Sequence, residues 1–167
     1  MDFVTCVARQ PIFDRNRRIF GYEVLYRSAA SDEKFDHRDG DQASVQVMHG
    51  TLNVLGLQQI VGQNRMFINI TRRGLVTEEY TVLPPDRAVI ELLETVEPDQ
   101  QVIDAATRLK AAGYQLALDD FQFDPRYDPL LQLADIIKID FLTAEPHQRR
   151  DIAARHGLKK KLLAENV

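Results

Sequence analysis

The sequence predicts an α/β fold, a (β/α)8-type barrel that has an antiparallel first strand and stops before strand eight. From residue 88 onward, short apolar runs alternate with helix-like segments, which is typical of β/α units. These runs are apolar throughout, as expected for parallel strands that are buried on both faces. The first two apolar runs instead flank a short turn, which indicates a hairpin.

The opening hairpin consists of strands Val4–Phe13 and Arg18–Tyr26. The residues between them, Asp14-Arg15-Asn16, favour a turn, so the two strands are predicted to be antiparallel. Residues 28–40 are polar and irregular and predict a loop. Residues 42–55 have the apolar spacing of a helix, which we expect to end at Gly56.

Strands and helices alternate through the rest of the chain. Proline at the start and glycine at the end mark two of the helices, an asymmetry that is common in proteins. The predicted elements are strand Met66–Ile70, a short helix near Arg72–Glu79, strand Ala88–Leu93, a helix from Pro98 to Gly113, strand Tyr114–Leu118, a loop at Phe121–Asp128, a short helix at Pro129–Leu133, strand Asp135–Ile139, helix Pro146–His156 with Gly157 as its C-cap, and strand Lys161–Ala164.

This count gives seven strands, whereas a closed barrel of the TIM type has eight. We therefore interpret residues 1–167 as one domain that is incomplete at its C-terminus. An open sheet exposes unpaired backbone groups at its edges. The sequence thus predicts a homodimer or another form of self-association, with exposed apolar area near Val102, Ile103 and Leu109.

Composition excludes several classes of protein. A net charge of -4 and 44% hydrophobic residues describe a soluble globular domain. No basic stripe is present, so DNA and anionic membrane surfaces are not expected partners. The only cysteine, Cys6, cannot form an internal disulfide, and no run is apolar enough for a signal peptide or membrane span. These features predict a cytoplasmic protein.

The apolar segments share a second feature, since each one carries or ends in a residue that can bind a metal ion or move a proton. Ionised carboxylates on aliphatic runs are costly unless they are paired or metal-bound, and the C-terminal ends of barrel strands meet at one mouth. One shared polar site is therefore predicted. Its members are Glu23, Asn69, Glu91, Asp119, Asp120, Lys138 and Glu165.

These oxygen ligands suit Mg²⁺ or Mn²⁺ better than zinc or copper. Lys138 and Arg27 would hold phosphate oxygens, so the set indicates hydrolysis of a phosphate ester by activated water. Simpler interpretations remain open, because a single acid at a strand end is more often a cap or a surface group. Asp119-Asp120 can begin a turn, and Glu94 can be an acid at a helix start.

The motifs resemble those of EAL domains, the bacterial phosphodiesterases that linearise cyclic di-GMP. The resemblance covers the whole chain in order, and it is nearer to the degenerate EAL domains that precede HDOD domains. The matching segments are ARQPIFD, GYEVLYR with Glu23-Val24-Leu25 as the namesake motif, INIT, ELLE, LALDDF, IKID and LLAENV.

The resemblance implies a role for each residue of the site. Glu23, Asn69, Glu91 and Asp119 would bind the first metal ion, and Asp120 would help to bind the second. Lys138 and Glu165 would position and activate the water, with Glu165 as the better candidate for the general base. Gln10 and Arg27 would contact the dinucleotide, and Glu94 would brace the loop after the paired aspartates.

The same comparison reveals departures from the family pattern. In active EAL domains a loop rich in glycine and serine follows the aspartates, but here the chain reads Phe121-Gln122-Phe123-Asp124-Pro125. Three functions follow as alternatives: a phosphodiesterase, an inactive module that binds cyclic di-GMP or another protein, and an unrelated metal-dependent barrel such as a lyase. The ordered motifs disfavour the last. For the 167-residue chain the altered loop favours weak or absent turnover.

Overall fold

A computed structural model describes residues 5–28, 56–119 and 124–167. The predicted loop at 28–40 falls almost entirely outside these ranges, and so does the predicted helix at 42–55. The strands are β1 (Thr5–Phe13), β2 (Ile19–Ser28), β3 (Arg65–Ile70), β4 (Ala88–Leu92), β5 (Gln115–Leu118), β6 (Ile136–Asp140) and β7 (Lys161–Glu165). The helices are α1 (Leu57–Val61), α2 (Arg72–Val76), α3 (Gln100–Ala111), α4 (Asp128–Leu133) and α5 (Pro146–His156), with 3₁₀ turns at Glu79–Val82 and Pro125–Tyr127.

The seven strands form one sheet in sequence order. β1 and β2 are antiparallel, and Gln10 lies opposite Glu23 in their register. All later pairs are parallel, as the intervening helices require. The predicted class is confirmed: a TIM-type α/β barrel with an antiparallel first strand and no eighth strand among the described residues.

Two apolar clusters lie on opposite faces of this curved sheet. The larger one packs the helices against the outer face and includes α3 positions Val102, Ala105, Ala106 and Leu109, whose spacing forms a single helical stripe. The smaller one fills the interior with Phe67, Val89, Ala117 and Ile136. Packing in this interior is close. A Cβ added at Gly21 would meet the Phe67 ring at 2.7 Å, so this position of β2 requires glycine.

One helix boundary and one packing prediction need correction, whereas the helix predicted to end at Gly56 lies outside the described residues. Gly56 itself is the N-cap of α1, with φ +71°. Pro98 lies outside α3, because Asp99 caps this helix by accepting a hydrogen bond from the Val102 amide at 2.9 Å. Val102 and Leu109 are fully buried, so the predicted exposed apolar area near them is wrong.

The last part of the predicted loop at 121–128 forms secondary structure instead of a loop. Pro125–Tyr127 form a 3₁₀ turn that leads directly into α4, and the Asp124 side chain caps this turn by accepting from the Arg126 amide. Proline supplies the required φ angle at the start of such a turn. No helix within the described ranges is long and apolar enough to cross a membrane.

Candidate active site

The strands carry their polar residues two positions after an interior apolar residue. Residues i and i+2 of a strand face the same side, so the polar side chains also point into the barrel interior. The apolar members form the interior cluster and its margin, and they close the interior on one side of the polar layer. The pairs are Phe67 with Asn69, Val89 with Glu91, Ala117 with Asp119, Ile136 with Lys138, and Leu163 with Glu165.

Lys138 lies at the centre of the polar layer. Only 1% of its side chain is exposed, and its Nζ contacts carboxylates from β2, β4 and β7 and from the residue that follows β5. The distances from Nζ are 3.0 Å to Glu91 Oε1, 3.0 Å to Asp119 Oδ1, 2.9 Å to Glu165 Oε1 and 3.7 Å to Glu23 Oε2. The structure therefore brings these predicted site residues together around one ammonium group.

Asn69 joins the layer through Glu23. Its Nδ2 donates a hydrogen bond to Glu23 Oε1 at 3.2 Å, which leaves the amide oxygen Oδ1 facing inward. This oxygen is buried and accepts no hydrogen bond within the described part of the chain. The same holds for Glu91 Oε2, whereas Glu91 Oε1 has the Lys138 ammonium as its partner at 3.0 Å. Such unsatisfied buried acceptors are uncommon in native proteins and often mark a ligand or ion position.

Burial dominates the charge state of Glu91. The side chain is fully buried, and loss of solvation raises the pKa of its carboxyl group to about 8. Lys138 opposes this shift, whereas the neighbouring Glu23 and Asp119 reinforce it. Glu91 therefore holds a proton at neutral pH unless a further cation approaches it.

Glu165 and Lys138 are shifted by the same surroundings. Burial raises the pKa of Glu165 to about 7, even though Lys138 favours the ionised form. Burial also disfavours the charged form of Lys138, but the surrounding carboxylates outweigh it and raise the lysine pKa above its ordinary value. Lys138 thus remains an ammonium ion, and Glu165 can gain or lose a proton near neutral pH.

The donor set fits a hard divalent cation. One ammonium faces four carboxyl groups, so full ionisation leaves an excess of 4 − 1 = 3 negative charges. Carboxylate and amide oxygens without partners are the ligands that magnesium and manganese prefer. In the described ranges, no three carboxylate, imidazole or thiol groups already converge on one point that could hold a metal ion. The Lys138 ammonium lies between the carboxylates instead.

The structure describes the remaining predicted site residues only in part. Gln10 is an exposed residue of β1 directly opposite Glu23, so it lies beside the polar layer. Arg27 belongs to β2, but its side chain is outside the described part, and so is the whole of Asp120. Glu94 is exposed. Its main-chain carbonyl accepts a hydrogen bond from Tyr127 Oη at 2.9 Å.

Tyr127 is a residue that the sequence analysis missed. Its hydroxyl joins the segment after Pro125 to the segment after β4, at the border of the polar layer. No motif signals this contact, because the tyrosine lies in a polar stretch and its partner is a backbone atom. Beside it is a cavity of about 180 Å³, lined by Leu92, Leu93, Glu94, Val96, Leu118, Asp119, Asp124, Arg126, Tyr127 and Leu130.

Two curated proteins are similar to almost the whole chain. The "Cyclic di-GMP phosphodiesterase CdgJ" of Vibrio cholerae is 31% identical over 168 residues, which cover 99% of this chain and 39% of that protein. The "Uncharacterized protein YuxH" of Bacillus subtilis is 35% identical over 167 residues, 96% of this chain and 41% of that protein. The chain thus spans about two fifths of the length of these relatives. No protein-family model matches it.

The fold is that of solved EAL domains. The crystal structure of the Bacillus subtilis YkuI protein, with an EAL domain in complex with substrate cyclic di-GMP and calcium, superposes with a TM-score of 0.72 at 19% identity. The alignment covers 98% of this chain and 49% of that one. At 19% identity this similarity shows the fold, which the chain shares with solved EAL domains.

Proposed function

We propose that this chain is an EAL-family domain that binds cyclic di-GMP and hydrolyses it to linear pGpG with a divalent cation. The observation that carries the proposal is the polar layer, where four carboxyl groups surround one ammonium ion. Two buried oxygens of this layer, Glu91 Oε2 and Asn69 Oδ1, accept no hydrogen bond in the described part of the chain. Such an excess of negative charge in a buried site is stabilised by a bound cation.

The metal ligands in this proposal are the residues with inward oxygens. Glu23, Asn69, Glu91 and Asp119 would hold one Mg²⁺ or Mn²⁺ ion, and Asp120 would contribute to a second. A bound divalent cation lowers the pKa of a water ligand and so supplies a nucleophile at neutral pH. The chain itself supplies the ligand side chains, which come from several adjacent strands and lie around Lys138.

The groups that move and hold protons are Glu165 and Lys138. A general base is most effective when its pKa lies near the working pH, and the pKa of Glu165 is raised to about 7. Lys138 keeps its proton and is 2.9 Å from Glu165, so it can hold the carboxylate or a phosphate oxygen in position. Gln10 and Arg27, at the border of the layer, would contact the dinucleotide.

The comparisons support the choice of substrate. One relative bears the name of a cyclic di-GMP phosphodiesterase, and one solved EAL domain contains cyclic di-GMP and calcium. Neither extends its activity to this chain by itself, since the first is 31% identical over two fifths of its length and the second is 19% identical. The site geometry is therefore the main argument.

A second candidate is binding without turnover. The segment from Asp124 to Tyr127 is fixed by a proline, by the Arg126–Asp124 ion pair at 2.7 Å and by the bond from Tyr127 to Glu94. A segment held in this way next to Asp119 favours a rigid site, whereas EAL-type turnover would require the adjoining loop to move. Such a module would bind cyclic di-GMP or a protein partner.

The wider setting is also proposed. Residues 1–167 form one EAL-type domain of a longer cytoplasmic protein, of the degenerate subtype that accompanies an HDOD domain. The chain self-associates through its sheet edges. DNA and membranes are not expected partners.

The test combines equilibrium binding of cyclic di-GMP with turnover, each measured with and without Mn²⁺. Glu91→Gln keeps the volume of the side chain but removes its charge, so metal affinity should fall at least about tenfold, or about 1.4 kcal/mol. The matched control is Glu97→Gln, a change at an exposed acid on the same connection. We expect the control to behave as the wild type does.

Each outcome separates the candidates. Manganese-dependent turnover that is lost in Glu91→Gln supports the phosphodiesterase. Metal-sensitive binding of cyclic di-GMP without turnover supports the second candidate. If the wild type binds neither manganese nor the dinucleotide, both are overturned.

A further inference from the structure

A second polar cleft lies at the opposite end of the sheet from the polar layer. It has a volume of about 400 Å³, within the range of about 300–1,000 Å³ that is typical of small-molecule sites. It is formed by the hairpin turn between β1 and β2 and by the residues that enter β3 and β4. The lining residues are Asp14, Arg18, Ile19, Phe20, Gln63, Asn64, Arg65, Asp86 and Arg87.

The ring of Phe20, which lines the cleft, contacts two cations: Arg65 of the lining and Lys161, which lies outside the lining. The Arg65 Cζ atom is 5.2 Å from the Phe20 ring centroid, and Lys161 Nζ is 3.8 Å from the same centroid. Burial lowers the pKa of Lys161, and the charge of Arg65 lowers it further. The two like charges therefore repel each other, and an anion bound at Arg65 would relieve part of this repulsion.

No carboxylate in the described part of the chain forms an ion pair with Arg18, Arg65, Arg87 or Lys161. The two acids of the cleft do not neutralise these cations. Asp14 Oδ1 instead accepts hydrogen bonds from the amides of Asn16 and Arg18, at 2.8 and 2.9 Å, and so fixes the hairpin turn. Asp86 is exposed, and within the described part of the chain it has no partner.

Arg87 is held rigidly at the wall of the cleft. Its Nε and Nη2 donate to the main-chain carbonyl of Asn64 at 3.3 and 2.9 Å, and Nη2 also donates to the carbonyl of Gly62. Its Nη1 has no acceptor in the described part. A guanidinium that is already fixed loses little conformational entropy when it binds an anion.

We propose that this cleft binds the phosphate group of a small phosphorylated molecule. Arg87 presents a guanidinium group fixed by main-chain carbonyls, Arg65 presents one that lies over the Phe20 ring, and Arg18 lines the cleft from the hairpin. Guanidinium groups recognise phosphate through paired, charge-assisted hydrogen bonds. The volume exceeds that of phosphate alone and leaves space for the rest of the ligand. This site is separate from the polar layer and does not depend on the proposed hydrolysis.

The experiment titrates inorganic phosphate and phenyl phosphate into the metal-free 167-residue chain. Binding is followed by ¹H–¹⁵N NMR, with ionic strength held constant by sodium chloride. We expect shifts in the backbone amides of residues 18–20, 63–65 and 86–87. Arg65→Gln and Arg18→Gln should each weaken binding about tenfold, since each removes a charged donor. Arg15→Gln, on the same turn but outside the cleft, should bind like the wild type.

Tighter binding of phenyl phosphate identifies a phosphorylated molecule as the ligand, and equal binding identifies free phosphate. Both results support phosphate recognition at the cleft. Chloride-induced shifts of the same pattern would mean an adventitious ion only and would overturn the proposal. Unchanged phosphate binding in Arg18→Gln also overturns the proposal. Because Arg18 is exposed, this variant remains a valid test even if Arg65→Gln does not fold.

Discussion

Lys138 is buried and faces four carboxyl groups. Removal of the cation would leave buried carboxylates without a counter-charge, which is usually more destabilising than the intact pair is stabilising. In metal-free protein at pH 7.5, Lys138→Met should lower the free energy of unfolding by about 3–5 kcal/mol. Urea denaturation measures this loss. Lys159→Met, at an exposed lysine, should change stability by less than about 0.5 kcal/mol.

Equal stability of the two variants would contradict the central role of Lys138. The loss should also shrink at pH 5, because the raised pKa values of Glu91 and Glu165 leave both acids protonated there. A loss that does not depend on pH would indicate altered packing instead of uncompensated charge.

Glu91 predicts a pH dependence of stability whose sign follows from its raised pKa. The folded protein holds the Glu91 proton more tightly than the unfolded chain does. The stabilisation of the folded state by protonated Glu91 is therefore complete below about pH 4.5 and is lost as the pH rises through about 8. In EDTA the free energy of unfolding should fall across this window, by at most about 1.4 kcal/mol per pH unit for one group.

Glu91→Gln cannot ionise and should flatten this fall, most clearly between pH 7 and 8. Glu165 remains in the variant and should keep part of the slope below about pH 7, the value to which its pKa is raised. Urea denaturation at pH 5, 6, 7 and 8 compares the two proteins. Parallel curves would show that Glu91 does not titrate in this range.

At the level of single residues, the sequence predicted which side chains would gather at one site but not their arrangement around Lys138. Glu91, Asp119, Lys138 and Glu165 follow apolar runs, and that pattern sufficed to bring them to one mouth. The position of Lys138 between the carboxylates could not be predicted, because it depends on the register of β6 against β5 and β7.

At the level of elements, the strand ends were predicted to within one residue, because the apolar runs are short and sharply bounded. The exception is the end of β2, which extends two residues further, to Ser28. The elements missed are α1 and the 3₁₀ turns at Glu79–Val82 and Pro125–Tyr127, which are too short to show a period. The Tyr127 contact was missed as well, since a side chain that bonds a distant backbone carbonyl leaves no local pattern.

That contact ties two connections together beside the polar layer. Tyr127→Phe removes only the hydroxyl that donates to the Glu94 carbonyl, so the free energy of unfolding should fall by about 1 kcal/mol. Urea denaturation and binding of cyclic di-GMP together measure the effect. Glu94→Gln keeps the carbonyl acceptor and is the matched control.

If Glu94 braces the neighbouring segment through its side chain, the control should weaken binding more than Tyr127→Phe does. If the hydroxyl is the brace, only Tyr127→Phe should change both stability and binding. An unchanged stability in Tyr127→Phe would contradict the described hydrogen bond.

At the level of the whole molecule, the open sheet has consequences for association. In the described part of the chain β1 pairs only with β2, and β7 pairs only with β6. Leu162 and Leu163 of β7 are only half-buried, and unpaired strand edges recruit further strands. The buried stripe of α3 contributes no exposed apolar area, so the edges themselves must provide the association.

We therefore expect the 167-residue chain to dimerise through a sheet edge, most readily at β7. Ala164 is exposed on that strand, and a lysine at an edge opposes strand pairing by charge repulsion. Ala164→Lys should raise the dissociation constant of the dimer at least about tenfold, or about 1.4 kcal/mol. Ala154→Lys makes the same change on the exposed side of α5 and should leave the dimer intact. Sedimentation velocity over a range of concentrations measures both variants, and a wild type that stays monomeric throughout would show that the edges are protected in another way.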